Sequence, residues 1–132
     1  KCFEANTAGL TNITLHAVAL GKAPGSVSMN TEVGSSGNTT VGGKGDIPMI
    51  TLDSLGLVDV DYMKLDCEGF EENVLIGASV TIANCKPVVM VEQKRDFASR
   101  FDLEPQGAVK YLKAMGYVVA VEISGDFVMV PA

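Results

Sequence analysis

The sequence predicts an α/β domain, and two patterns along the chain support this fold class. Short apolar runs of strand length alternate with segments in which apolar residues recur at helical spacing. The chain then closes on two apolar runs, residues 117–123 and 127–130, joined by Ser-Gly-Asp at 124–126. Such a pair of runs with a short turn is typical of a β-hairpin. We therefore expect an α/β sheet with an antiparallel element at its edge.

The first half of the chain predicts short strands separated by loops. Residues 13–20 form an apolar run that indicates a strand. Residues 34–45 consist largely of glycine and small polar residues, so we expect a loop there, with a weak strand at 38–41. Residues 47–52 fit another strand, and Asp53 then caps a short helical turn.

The second half predicts the main strands and helices. A strand ends at Leu65 and leads into one amphipathic helix, and a buried strand follows at residues 87–91. Residues 93–103 are polar and indicate a connecting loop. Residues 105–116 begin with proline and end with glycine, as a helix does. The amphipathic helix after Leu65 has a single apolar stripe, formed by Phe70, Val74, Leu75 and Ala78.

Acidic residues stand at the ends of both central strands. Asp66 and Glu68 follow the first strand, and Glu92 ends the second. The carboxyl ends of parallel strands form the ligand crevice of an open α/β sheet. We therefore expect the three carboxylates to line one crevice. The alternative is that Asp66 caps the following helix and Glu68 is solvated.

Three further residues of this segment are candidates for the site. Lys64 precedes Asp66 by two residues and so faces the same side of the strand, where it either holds a substrate oxygen or forms a buried ion pair with Asp66 or Glu92. Gly69 allows a tight turn or a close backbone approach. Cys67 lies between two acids, but a buried apolar role is favoured over a nucleophile, because the chain offers no obvious partner.

The central segment KLDCEGFEENVLIGA is similar to the K-I-D-V-E-G-x-E-x-x-V-L-x-G-A signature of the FkbM-type methyltransferases. Four flanking segments also resemble that family in their order: CFEAN at 2–6, LHAVALG at 15–21, ITLDSL at 50–55 and KPVVMVEQ at 86–93. The resemblance implies a Rossmann-like methyltransferase sheet, mostly parallel with an antiparallel last strand. It also implies methyl transfer from S-adenosylmethionine, usually to a hydroxyl group.

The resemblance also implies roles for individual residues. Glu4 would accept hydrogen bonds from the cofactor's ribose, although an exposed acid near a chain end is the alternative. The expected cofactor-binding residues are Glu4, Asp66, Cys67 and Gly69. The expected catalytic residues are Asp66, Glu68, Glu92 and Lys64. We assign no residue to a metal.

The family's members begin with a strand and a glycine-rich turn that holds the cofactor's amino-acid part. Here the sequence starts within CFEAN, and only residues 5–12 separate it from the next predicted strand. That is short for a crossover between parallel strands. We therefore expect one methyltransferase-like domain over residues 1–132 that is incomplete at its amino end.

Composition narrows the function classes. The 132 residues suit one domain, and 47% hydrophobic residues suffice for a core. The net charge is −6 without a basic stripe, which argues against nucleic-acid binding. No apolar stretch reaches the roughly 20 residues of a membrane span, and no signal peptide is visible, so we expect a cytoplasmic protein. The three cysteines form neither a disulfide framework nor a zinc motif.

The leading hypothesis is an S-adenosylmethionine-dependent O-methyltransferase that acts on a sugar or another small hydroxyl compound. A non-catalytic binding or scaffold module with the same fold is the main alternative. A dinucleotide-binding oxidoreductase is a third, weakened because the sequence lacks G-x-G-x-x-G. The sequence leaves the oligomeric state open.

Overall fold

The computed structural model describes residues 6–31, 39–94 and 96–132. The strands in these ranges are β1 (Ala19–Leu20), β2 (Gly25–Val27), β3 (Met29–Thr31), β4 (Thr39–Val41), β5 (Ile47–Ile50), β6 (Tyr62–Leu65), β7 (Val88–Glu92), β8 (Tyr117–Ile123) and β9 (Asp126–Pro131). The α-helices are α1 (Glu71–Ile76), α2 (Ser79–Cys85) and α3 (Gly107–Ala114), and 3-10 helices occupy Leu52–Leu55 and Ala98–Phe101.

The largest sheet has four strands in the order β6-β7-β9-β8. The β6 and β7 strands are parallel, with Leu65 paired to Val91. The β9 strand runs antiparallel to both of its neighbours, and an irregularity between Val119 and Val121 interrupts its pairing with β8. The predicted C-terminal hairpin is therefore confirmed.

Two smaller sheets precede the large one. In the first, β5 lies between β1, which is parallel to it, and β2, which is antiparallel. The second is the antiparallel pair β3-β4. The mixed α/β class is thus confirmed, whereas a mostly parallel, Rossmann-like sheet is not: within the described ranges only β1-β5 and β6-β7 are parallel. The antiparallel pairs are β2-β5, β3-β4, β7-β9 and β8-β9. Of these, β8 and β9 are joined by a two-residue turn, and such a turn allows only antiparallel pairing.

The single helix predicted after β6 is divided into α1 and α2. The division falls at Gly77, whose carbonyl accepts a hydrogen bond from the Asp53 N–H at 3.0 Å. A Cβ atom at Gly77 would also collide with the carbonyl oxygen of Gly21. The apolar stripe continues across the break because Val74, Leu75 and Ala78 are all buried.

Asp53 is a cap, but for a different helix from the one predicted. Its own 3-10 turn is capped by Thr51. The Asp53 carboxylate instead accepts hydrogen bonds from the N–H groups of Val80 at 3.1 Å and Thr81 at 2.8 Å, at the start of α2. Asp53 therefore fastens the first turn of α2 to the segment that precedes β6.

Two predicted boundaries were wrong. The strand expected at residues 13–20 is reduced to Ala19–Leu20, and Ile13 and Leu15 are exposed. The loop expected at 93–103 contains the 3-10 helix Ala98–Phe101. The weak strand expected at 38–41 is present as β4, while much of the surrounding loop lies outside the described residues.

The core lies between one face of the large sheet and the three helices. Its fully buried side chains come from both layers: Leu75, Ala78, Ile82, Val89, Val91, Ala108, Leu112 and Met129. Leu20 and Leu52 pack against this core from the preceding segments. None of the helices in the described ranges has the length and apolar character needed to cross a membrane.

Candidate functional site

The carboxyl ends of β6 and β7 bring two predicted site residues together. Because Leu65 is paired with Val91, Asp66 and Glu92 follow at equivalent positions on adjacent strands. The two side chains are close enough to hydrogen-bond each other. The structure thus places this acid pair, Asp66 and Glu92, at the edge of the sheet where the sequence predicts a crevice.

The two members of the acid pair titrate in opposite directions. The hydrogen bond with Glu92, assisted by the charge of Lys64, lowers the pKa of Asp66. Lys94 acts to lower the pKa of Glu92, but the hydrogen bond with Asp66, burial and the negative charge of Asp66 outweigh it, so the pKa of Glu92 is raised. Two interacting carboxyl groups of this kind release their protons in separate steps.

Lysines flank the acid pair on both sides. The Nζ atom of Lys64 lies 3.2 Å from Asp66 Oδ2, so the ion pair with Asp66 forms, but it is exposed and not buried as expected. Lys94 Nζ lies 2.7 Å from Glu92 Oε1 and 2.9 Å from Asp126 Oδ2. Each carboxyl group of the acid pair therefore has a lysine ammonium group beside it.

Two further charged residues of the site, Lys94 and Asp126, were not predicted from the sequence. Lys94 follows Glu92 by two residues, the spacing that places side chains on the same side of an extended chain. Asp126 opens β9 directly opposite Glu92. The spacing of Lys94 from Glu92 was visible in the sequence, whereas the position of Asp126 depends on the register of β7 with β9.

A tight turn follows Asp66 and contains the other predicted residues. Glu68 and Gly69 both have positive φ, 53° and 103°. A Cβ atom at Gly69 would collide with the backbone of Phe97, which confirms the predicted close approach. Within the described residues no hydrogen bond or ion pair joins Glu68 to Asp66 or Glu92, so its carboxylate is the least oriented of the candidates.

Cys67 lies in the same turn and is partly buried. Burial, followed by the negative charge of Glu71, raises the pKa of its thiol to about 11. Because a nucleophilic cysteine needs its thiolate form, this environment disfavours catalysis by Cys67.

Glu71 is a buried residue that the sequence analysis did not identify. Its Oε1 atom accepts hydrogen bonds from the N–H groups of Cys67 at 2.8 Å and Gly69 at 3.1 Å. Its Oε2 atom accepts one from Gln93 Nε2 at 3.0 Å. Glu71 is the second glutamate of the E-G-F-E segment, and its position in the first helical turn is the signal that could have revealed this role.

A cavity of about 240 Å³ opens beside Asp66. Lys64, Asp66 and Cys67 form its polar side. Its apolar side is formed by residues from both halves of the chain: Ala19, Leu20, Met29, Val41, Leu65, Phe70 and Val74. The cavity thus joins a negatively charged group to an apolar wall.

Two further predictions concern Glu4 and metal ions. Glu4 lies outside the described residues, so its role at the ribose stays a prediction. In the described part of the chain, no group of three or more histidine, cysteine, aspartate or glutamate side chains is arranged to hold a metal ion.

Comparison with known proteins identifies the family. Searches of curated proteins and of solved structures give no match to this chain. The model of the methyltransferase FkbM domain matches residues 3–119, which is most of the sequence and includes the turn and the acid pair. The chain therefore belongs to the FkbM methyltransferase family.

Proposed function

We propose that this protein transfers a methyl group from S-adenosylmethionine to a hydroxyl oxygen of a sugar or another small molecule. The observation that carries the proposal is the acid pair, Asp66 and Glu92, beside a partly apolar cavity in an FkbM domain. A methyltransferase needs a site for the cofactor and a group that can take the proton of the acceptor. The cavity and the acid pair can serve these two needs.

The residues around the cavity fit part of the cofactor. Sites that enclose a whole drug-sized ligand usually measure roughly 300–1,000 Å³, so a cavity of about 240 Å³ suits one portion of it. When bound, S-adenosylmethionine supplies the methyl group on a positively charged sulfonium. Asp66 offers a complementary negative charge, and Cys67 lines the same space. Gly69, in the turn that follows Asp66, is proposed to contact the cofactor through its backbone. Glu4 is proposed to hold the ribose.

Glu92 is the proposed general base. Its raised pKa makes it the more basic member of the acid pair, while Asp66 stays ionised. A base with a pKa nearer the working pH transfers protons more effectively. Its carboxylate would take the proton from the acceptor hydroxyl as the oxygen gains the methyl group. Lys94, at 2.7 Å, fixes the orientation of that carboxylate.

The other candidates have supporting roles. Lys64 ends in an exposed ammonium group beside Asp66 and can hold an oxygen of the acceptor. Glu68 lies in the same turn, but within the described ranges no hydrogen bond or ion pair orients its carboxylate, so it is a weaker candidate for catalysis. Positioning of the acceptor is expected to supply much of the rate, because methyl transfer requires aligned reacting atoms.

Calorimetric titration with S-adenosylmethionine and S-adenosylhomocysteine tests the cofactor assignment. Only the first ligand carries the sulfonium charge. Asp66→Asn should therefore weaken S-adenosylmethionine roughly tenfold and S-adenosylhomocysteine much less. The matched control is Glu104→Gln, which removes a carboxylate that pairs with Lys110 on the exposed surface and does not line the cavity. This control should leave both affinities unchanged.

Several results would contradict the assignment. If Asp66→Asn lost the same affinity for both ligands, the proposed contact between Asp66 and the sulfonium charge would be contradicted. Failure of the wild-type protein to bind either ligand would contradict the assignment of S-adenosylmethionine as the cofactor.

Transfer of a labelled methyl group to a panel of sugars and small hydroxyl compounds tests the reaction. Glu92→Gln should retain cofactor affinity and lose most of the turnover, because it removes the base and keeps the shape. A label that appears on a nitrogen acceptor would contradict the hydroxyl assignment. Cofactor binding without transfer to any acceptor would favour a non-catalytic module.

A further inference from the structure

The buried carboxylate of Glu71 organises the turn that carries Asp66. Its Oε1 atom accepts the N–H groups of Cys67 and Gly69, on either side of Glu68. One oxygen atom thus closes the turn at two points. Glu71 is fully buried, so both N–H groups would lack water as an alternative partner if this carboxylate were removed.

Gln93 extends this contact to two more elements. Its Nε2 atom donates to Glu71 Oε2 at 3.0 Å and to the backbone carbonyl of Glu92 at 3.1 Å. Its Oε1 atom accepts from the N–H of Ala108 at 3.2 Å, in the first turn of α3. A continuous set of hydrogen bonds therefore connects the turn after β6, the end of β7 and the start of α3.

We infer that Glu71 and Gln93 form a positioning pair that holds Asp66 beside Glu92. Asp66 directly precedes Cys67, and Glu92 directly precedes Gln93, so each member of the positioning pair acts next to one member of the acid pair. The structural part of this inference is independent of the cofactor. Its effect on cofactor affinity rests on the proposed function.

The contacts allow a reciprocal exchange of the two side chains. In Glu71→Gln the new amide oxygen can still accept from the turn, but its NH₂ group faces the NH₂ group of Gln93. In Gln93→Glu two carboxylates face each other. The double variant restores complementarity, because the amide at position 71 donates to the carboxylate at position 93, whose other oxygen accepts from Ala108.

The exchange leaves one imperfect contact. The carboxylate at position 93 would lie near the carbonyl of Glu92, to which Gln93 now donates. We therefore expect strong but incomplete rescue by the double variant.

The experiment measures amide hydrogen exchange at Cys67 and Gly69 together with the affinity for S-adenosylmethionine. Each single variant should accelerate exchange at both amides and weaken the cofactor by roughly tenfold, the equivalent of about one hydrogen bond. The double variant should return both readouts to within about threefold of the wild type. Ile82→Val provides the control, because it lowers stability from the core without touching the positioning pair.

The outcomes separate positioning from general stabilisation. A double variant no better than the weaker single variant would overturn the inference, and so would single variants with wild-type exchange at Cys67 and Gly69. The same accelerations in Ile82→Val would also overturn it, by showing that they follow from lost stability alone. If the wild-type protein binds no cofactor, the proposed function fails, and the exchange data still decide whether Glu71 and Gln93 hold the turn.

Discussion

The two halves of this molecule contribute differently to the site. Every residue of the buried core cluster lies between positions 65 and 129, which we call the C-terminal region. In residues 6–31 and 39–50, the N-terminal region, Leu10, Ile13 and Leu15 are 53%, 43% and 55% exposed. The acid pair therefore belongs to the part that has its own core. The N-terminal region supplies part of the apolar wall of the cavity.

This difference indicates how stability is distributed. Segments with few buried apolar contacts open locally at a low free-energy cost, while core strands and helices open only with the whole domain. We expect the acid pair to be held rigidly, and the part of the apolar wall that comes from the N-terminal region to adapt to the ligand.

The largest effect should come from the core of the C-terminal region. Leu75→Ala removes a fully buried side chain and should lower the free energy of unfolding by about 2–5 kcal/mol. Leu15→Ala changes an exposed leucine of the N-terminal region and should stay within about 0.5 kcal/mol of the wild type. Denaturant unfolding measures both, and similar losses would contradict the contrast.

The turn that carries the acid pair should be the next most sensitive element. Gly69→Ala combines a strained φ of 103° with a collision against the Phe97 backbone, and should cost roughly 2–4 kcal/mol. Gly56→Ala is the matched control, because Gly56 also has positive φ, 63°, but faces open space. Its cost should be about 1 kcal/mol by thermal unfolding. Equal costs would show that the turn is not closely packed against Phe97.

The hydrogen bonds from Asp53 to α2, which attach the segment before β6 to the C-terminal region, should contribute less to stability. Asp53→Ala removes the cap of α2 and should cost about 1 kcal/mol. Burial acts to raise the pKa of Asp53, but hydrogen bonds from Thr81, Val80 and Ser79 outweigh it and lower the pKa. The stabilisation is therefore present above the unfolded pKa and is lost as the pH falls through the folded one. Unfolding at pH 6 should reveal a larger difference from the wild type than unfolding at pH 3.

The smallest effect is a pH dependence of opposite sign at Glu71. Burial raises the pKa of Glu71 despite the hydrogen bonds from the turn. Its contribution is present below the unfolded pKa, about 4.3, and is lost as the pH rises through the folded value. Glu71→Gln should remove this part of the pH dependence, which lies above about pH 4.3. A variant whose stability changes with pH as the wild type's does would show that Glu71 titrates normally.

The sequence predicted those parts of the fold that depend on local patterns. Strong apolar patterns made the β6 and β7 strands and the hairpin of β8 and β9 apparent. A glycine made the turn at Gly69 apparent. The strand at residues 13–20 was overestimated, since an apolar run forms a strand only where a partner strand exists. The break at Gly77 depends on the backbone of Gly21, which is distant in sequence.

The same limit applies to the site. Asp66 and Glu92 could be predicted because each follows an apolar strand, and parallel strands end at one edge of a sheet. Asp126 could not, because its place opposite Glu92 depends on the register of β9. The position of Glu71 in the first helical turn indicated a capping role but not its burial. Gln93 had no sequence pattern that distinguishes a buried, hydrogen-bonded side chain from a solvated one.

The central claim is that β6 and β7 bring Asp66 and Glu92 into one coupled acid pair. Carboxyl carbon NMR titration of the wild type and of Asp66→Asn tests it most directly. We predict that Asp66 titrates below its usual pKa and Glu92 above it. The pKa of Glu92 should fall in Asp66→Asn because the neighbouring charge is gone. An unchanged pKa of Glu92 in that variant would contradict the coupling and remove the basis for a general base at this site.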